Sequence, residues 1–254
     1  MRTMLFAALM AALIPAAGFA RPGKAEVSNA VAKVLADPAR RDDQARDAQR
    51  RIGAIMTFAQ VRPGQKVLEL IPGSGYFTRV FSGLVGPRGH VYVVWPQEYL
   101  KEEARGMAGS QALAAQSHYA NITALAQPAA ALTAPTPVDL VFTSQNYHDY
   151  PDAFMGKVDP AVLNREVYAA LKPGGLYVII DHVAAAGSGL RDTDTLHRID
   201  PAAVKAEVAA AGFVFDGESQ VLRNPADSHA LKVFDKSIRG HTDQFIYRFR
   251  KPLR

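Results

Sequence analysis

With 254 residues, 48% of them hydrophobic, the chain can bury one sizeable core and is long enough for a single α/β domain with an N-terminal extension. It has no cysteine, which excludes disulfides, thiolate metal sites and a lipid-modified cysteine. The net charge of +5 is modest and dispersed: the densest basic stretch, Arg40-Arg41 through Arg50-Arg51, is interleaved with Asp42, Asp43 and Asp47, so no nucleic-acid partner is expected.

The first twenty residues read as a targeting segment. Arg2 gives a positive start, Met4 to Ile14 is an apolar run too short for a membrane span, and Gly18-Phe19-Ala20 ends it with small residues. Cleavage after Ala20, a periplasmic or secreted product and no lasting membrane association are expected. Pro22 and Gly23 mark a lead-in, Ser28 caps a short helix to about Leu35, and a second helix is expected from Asp42 or Asp43 to about Phe58. Residues 21–60 thus form a helical extension ahead of a domain spanning 61–254.

Beyond the turn at Arg62-Pro63-Gly64-Gln65, strands and helices alternate. Strands are expected at Lys66–Ile71, His90–Trp95, Asn121–Leu125, Val138–Thr143 and Leu176–Asp181, and helices at Gly75–Leu84, Gln97–Met107, Pro160–Leu171 and Pro201–Ala211. The nearly all-apolar run Leu176–Asp181 is the mark of a strand buried on both faces. Two closing strands, Phe213–Leu222 and Gln244–Phe249, complete a Rossmann-like, doubly wound, mostly parallel seven-stranded sheet with an antiparallel edge.

The chemistry concentrates at the carboxyl ends of these strands, where open α/β sheets place their ligand crevice. Glu69 precedes the glycine loop Pro72-Gly73-Ser74-Gly75, and an anion there suits a ligand with positive charge, such as the sulfonium and ammonium of S-adenosylmethionine. The dinucleotide fingerprint is incomplete, since Thr78 stands where a third glycine would allow close helix packing; this disfavours a nicotinamide oxidoreductase. No serine lies in a G-x-S-x-G elbow, so hydrolase chemistry has little support. The fourth strand runs into Gln145-Asn146-Tyr147-His148-Asp149, the fifth ends in Asp181-His182, and His197 precedes a later helix. A metal held by His148, Asp181, His182 and His197 has no known zinc spacing, and none is expected.

Three segments carry a resemblance: Glu69 with Gly73-Ser74-Gly75, Asp139-Leu140-Val141 leading to Asn146–Asp149, and Leu171-Lys172-Pro173-Gly174-Gly175. On them the chain resembles the class I S-adenosylmethionine-dependent methyltransferases over about residues 45–254. More narrowly it is similar to a group of predicted bacterial methyltransferases with like segments at Asn146–Asp149, Leu196–Asp200 and Arg248–Pro252. The resemblance implies S-adenosylmethionine as cofactor, held by Glu69, Pro72, Gly73, Ser74, Gly75 and Gln145. Where the pattern has an acid for the ribose hydroxyls this chain has Trp95, which can stack on adenine, with Gln97 or Glu98 as substitutes; where it has a glycine, this chain has Ile71.

His148 is then the expected base and Asp149 its partner at the reaction centre, with Asn146, Tyr147, Asp181, His182 and His197 facing a small-molecule acceptor. The rival expectation is an exported, non-catalytic binding protein that retains the fold.

Overall fold

The structure is a computed structural model describing residues 24–254; the expected leader and the start of the lead-in lie outside the described residues. Seven strands form one sheet: β1 (Lys66–Leu70), β2 (His90–Pro96), β3 (Ile122–Gln127), β4 (Val138–Ser144), β5 (Leu171–His182), β6 (Val214–Ser219) and β7 (Gln244–Arg250). Their order is β3-β2-β1-β4-β5-β7-β6. The first five run parallel, and β7 inserts antiparallel between β5 and β6, so the edge expected from the sequence is present. The order reverses between β1 and β4, which opens a crevice beyond their carboxyl ends.

Helices cover both faces. On one, α1 (Lys24–Leu35), α3 (Ile52–Ala59) and α4 (Tyr76–Val85) bury Val31, Ile55, Met56, Phe81 and Leu84 against Val67, Val93 and Phe142. On the other, α7 (Pro160–Ala170) and α9 (Pro201–Ala210) bury Leu163, Val167, Val204 and Val208 against Tyr177 and Ile179. Both begin as the sequence predicts: the Asp159 and Asp200 side chains accept from the amides of Ala161 and Ala202, with proline in the first turn. Among the described residues, no helix is long and apolar enough to cross a membrane.

Four expectations need correction. Ser28 does not cap the first helix: α1 begins at Lys24 and Ser28 lies within it. The second helix does not run continuously from Asp42 to Phe58: α2 (Arg41–Gln44) stops, and Arg51 takes a left-handed backbone, φ 51°, before α3. Side-chain ties hold the intervening turn, with Asp43 paired to Arg46 and Arg79, and Asp47 accepting from Arg40 and the Tyr76 hydroxyl. The helix over Gln97–Met107 divides into α5 (Tyr99–Glu102) and α6 (Arg105–Ala114). The Lys172–Gly175 turn is absorbed into β5 as an irregularity in its pairing with β4.

Candidate active site

The segment after β1 is built on an unusual backbone. Ile71 has φ 51°, the left-handed region where a β-branched side chain is an outlier, and Gly73 and Gly75 follow at φ 56° and 76°. The chain thus keeps the backbone a glycine would adopt at position 71 while burying the isoleucine side chain in the core. A Cβ at Gly75 would come within 3.0 Å of Leu113 Cδ2 and 3.2 Å of Arg79 Nη1, both ends of flexible side chains, so the positive φ rather than space is what calls for glycine there.

Beyond this loop lies a cavity of about 660 Å³. Glu69, Pro72, Gly73 and Ser74 line it from the β1 side; Gln145, Asn146, His148 and Asp149 from the segment after β4; His182 from the end of β5 and His197 from beyond it. Asn146 stitches two of these segments together, its Nδ2 donating to the carbonyls of Ser144 (2.6 Å) and Ile71 (3.3 Å). Thr193 Oγ1 donates to Asp152 at 2.6 Å, docking α8 (Thr193–Leu196), which carries His197, on the segment following His148.

Glu69 is buried, with Thr78 Oγ1 donating to its Oε2 at 2.6 Å. Burial lifts its carboxyl to about 8 against the opposing pull of that hydrogen bond and the Arg79 charge. A protonated acid at the wall of a cavity becomes a strong anion once a cation is placed against it.

Asp181 organises the opposite wall. Fully buried, its carboxylate accepts from the amides of His148 (3.0 Å) and His182 (2.7 Å), while its Oδ1 lies 2.7 Å from His148 Nδ1. That bond directs His148 Nε2 toward His197 Nδ1 at 3.2 Å and Asp149 Oδ1 at 3.3 Å. Burial alone would depress His148, but the charge and hydrogen bond of Asp181, joined by Asp149 and Asp152, hold it at about 9. Burial and the neighbouring Asp181 and Asp152 charges leave Asp149 at about 7 despite the attraction of His148. His182 and His197 are each pushed down to about 4, first by burial; the His148 charge depresses both further.

Four expected site residues stand outside the wall of the main cavity, Gly75 among them. Trp95 is buried under α6, its Nε1 donating to Ser110 Oγ at 2.9 Å, and a Cβ on Gly106 would lie 2.5 Å from the indole. It borders a smaller cavity of about 380 Å³, shared with Gly75, rather than the main one. Tyr147 is fully buried, with its hydroxyl donating to Glu207 and accepting from Asn164, and it does not line the cavity. Asp181 touches the histidine, not the cavity, and is a positioning residue. As for the acid missing at the end of β2, Glu98 is occupied by the Ala129 amide and Gln97 is not at the cavity wall; Glu102 and Glu103 are.

Sequence reasoning missed Arg50, Tyr99, Glu102, Glu103, Phe154 and Phe234, all of which line the main cavity. Tyr99 and Glu102 sit on the short helix α5 and the others on connecting segments, none with a motif spacing, and only the fold gathers them. A second, open groove of about 640 Å³ adjoins the first, sharing Arg50, Phe77, Gln145, His182 and Phe234. It is lined by Arg46, Arg50, Arg51, Arg223, Arg239 and His241 and by no carboxylate. Arg46 and Arg223 are paired with Asp43 and Asp243. Arg50 instead lies over the Tyr76 and Phe77 rings.

The sequence profile of the Protein-L-isoaspartate(D-aspartate) O-methyltransferase (PCMT) family matches residues 40–161. The chain is similar to a protein-L-isoaspartate O-methyltransferase of Ignicoccus hospitalis, 44% identical over 54 residues, 21% of this chain and 26% of the relative. It is also similar to the ubiquinone/menaquinone biosynthesis C-methyltransferase UbiE of Vibrio cholerae, 26% identical over 188 residues, 72% of this chain and 60% of the relative. The chain therefore spans from about a quarter to three fifths of the length of these curated relatives. A crystal structure of an S-adenosylmethionine-dependent methyltransferase from Aquifex aeolicus superposes with a TM-score of 0.55 at 16% identity, covering 88% of this chain and 97% of that one.

Proposed function

We propose that this chain, which belongs to the class I S-adenosylmethionine-dependent methyltransferase superfamily, transfers a methyl group to a small anionic acceptor in the cavity between β1 and β5. The observation that carries the reading is the buried Glu69 carboxyl at the wall of the cavity that His148 also lines.

The residues present fit the cofactor. Among the described residues no cation forms an ion pair with Glu69, though the Arg79 charge reaches it, and its carboxyl can meet an ammonium or sulfonium; Gly73 and Ser74 present backbone, Glu102 and Glu103 can accept from ribose hydroxyls, and Arg50 can meet a carboxylate. When bound, S-adenosylmethionine supplies an electrophilic methyl on a sulfonium sulfur. The protein's own work is chiefly placement of the acceptor in line, for which contact of roughly 3–3.5 Å is needed. His148, oriented through Asp181, accepts a proton from an acceptor that must lose one only in its neutral form, which, against burial, the neighbouring carboxylates shift toward about pH 9. The arginine-lined groove supports an acceptor bearing a carboxylate or phosphate.

Calorimetric titration with S-adenosylmethionine and S-adenosylhomocysteine tests the first half of this reading, with NADH and 5′-methylthioadenosine as controls. Micromolar binding of the homocysteine compound that is weakened in Glu69→Ala and Arg50→Ala is expected. Methylthioadenosine, which lacks the amino-acid part, should bind the variants as it binds the parent. Absence of binding by either adenosyl ligand would sink the reading in favour of a fold-retaining binding protein. His148→Ala should spare cofactor affinity and reduce turnover, and full turnover would remove its assigned role.

We also propose export, on the apolar run Met4–Ile14 and the small residues ending at Ala20. Protein recovered from cells with Arg21 at its N-terminus supports this, and recovery of the intact residues 1–20 from the cytoplasm overturns it.

A further inference from the structure

The cavity that Glu69 lines also presents three ligand atoms close to one another. His148 Nε2, Asp149 Oδ1 and His197 Nδ1 are separated by 3.2, 3.3 and 3.9 Å. A triangle with these sides fits a circle of radius about 2.0 Å, and zinc bonds to nitrogen and oxygen ligands are about 2.0–2.2 Å long. A cation a little above the plane of the three atoms would therefore sit at bonding distance from all of them without side-chain movement.

The surroundings of the triangle point the same way. The Asp181 carboxylate engages His148 Nδ1 at 2.7 Å, so in the neutral ring the Nε2 lone pair is turned to the common point. There it faces a carboxylate oxygen, an arrangement satisfied by a proton on Nε2 in the metal-free protein and by a cation that displaces that proton. A carboxylate behind a ligating histidine is also the usual outer support of a metal site. His148 and Asp149 are buried, whereas His197 is half-buried, and all three line the main cavity. Three protein ligands with the cavity side open is the pattern of a catalytic rather than a structural metal site.

We propose that His148, Asp149 and His197 bind a divalent transition-metal ion, zinc or one of its neighbours, with its remaining coordination positions turned into the cavity. Two imidazoles and one carboxylate suit such ions better than magnesium or calcium, which prefer all-oxygen sets. The binding site rests on the triad alone. Its use, holding an oxygen of the acceptor, rests on the methyl-transfer reading, and there His148 serves as a ligand in place of a free base.

The test is a titration of the chelator-treated full chain with Zn²⁺, repeated with Co²⁺, whose visible absorption reports ligand number and type. One equivalent bound with sub-micromolar affinity is expected, together with the strong visible bands of a four-coordinate cobalt site. Asp149→Asn and His197→Gly should each weaken binding at least 100-fold, and Asp181→Asn roughly 10- to 100-fold through the supporting shell. Glycine is chosen at 197 because the residue has φ 52°, which glycine adopts without strain and with no ligand atom. No stoichiometric uptake, or uptake unchanged in a His197→Gly variant with the parent's circular dichroism, overturns the site. Because metal uptake is read without cofactor, that failure leaves the S-adenosylhomocysteine titration untouched, and failure of the latter leaves the metal titration standing.

Discussion

Ile71 is a residue at which two local demands oppose each other. A left-handed backbone on a non-glycine residue costs roughly 1–2 kcal/mol, while removing a buried isoleucine side chain costs about 2–5 kcal/mol. Burial is the larger effect, so Ile71→Gly should relieve the backbone and still destabilise the protein, by a net of about 1–3 kcal/mol in urea unfolding. A variant as stable as the parent would mean that the relief of backbone strain matches the loss of the buried side chain. Glu69 carries the second expectation at this scale. With its carboxyl at about 8 in the fold and an ordinary value of 4.5, it holds a proton that the unfolded chain has lost. The resulting stabilisation is complete below about pH 4.5 and is lost as pH rises through about 8. A cationic ligand needs the ionised form, so S-adenosylhomocysteine affinity should rise roughly 10- to 50-fold between pH 6 and 8, with proton release. Glu69→Gln should bind weakly at both pH values, and a parent affinity that does not change with pH would sink the assignment of Glu69 as the cation's partner.

The sequence made the elements legible wherever composition alone determines burial. The run Leu176–Asp181 could only be a strand covered on both faces, and it lies between β4 and β7. Asp-Pro pairs announced α7 and α9 because capping and proline act within one turn. What stayed hidden depends on partners distant in sequence. Tyr147 reads as a polar edge residue until Asn164 and Glu207 arrive to take its hydroxyl, and Trp95 reads as cavity-facing until Gly106 closes over it. Arg198, beside the site residue His197, is likewise claimed by the core. It is fully buried, bonds Asp227 through both oxygens and donates to the carbonyls of Val183 and Leu231. One buried side chain thus ties the end of β5 to the loop between β6 and β7. Breaking such a pair from one side strands a charge, at a cost of about 3–5 kcal/mol. Asp227→Ala should therefore lose about that much in urea unfolding, and a loss below about 1 kcal/mol would mean the pair is dispensable. The Arg198 guanidinium and the backbone amides of Asp243 and His229 hold the Asp227 carboxyl below its ordinary value despite burial, so its contribution is present at neutral pH and falls away in acid.

At the scale of the molecule, the strand order places two recesses side by side at one edge of the sheet, one walled by Glu69 and the histidines and the other by arginines. Such segregation of charge is a selection device, because a cofactor carrying positive charge and an acceptor carrying negative charge are each drawn to their own side. Arg51 and Arg239 are exposed and, among the described residues, have no ion-pair partner, so the field they set up is open to a ligand and to screening by salt. For pairs of candidate acceptors that differ only by a carboxylate or phosphate, the anionic member should show the lower KM. That advantage should shrink as ionic strength rises from about 0.05 to 0.5 M, where the screening length falls to a few ångströms. A charged hydrogen bond contributes about 1.5–3 kcal/mol, so Arg51→Ala and Arg239→Ala should each raise the acceptor's KM about tenfold or more if the arginine makes direct contact. S-adenosylhomocysteine affinity should not move in either variant, since neither side chain lines the main cavity. Equal KM for charged and neutral partners at low salt would mean that the groove only solvates its arginines and that acceptor choice is made inside the main cavity, by the shape between Tyr99, Phe154 and the histidines.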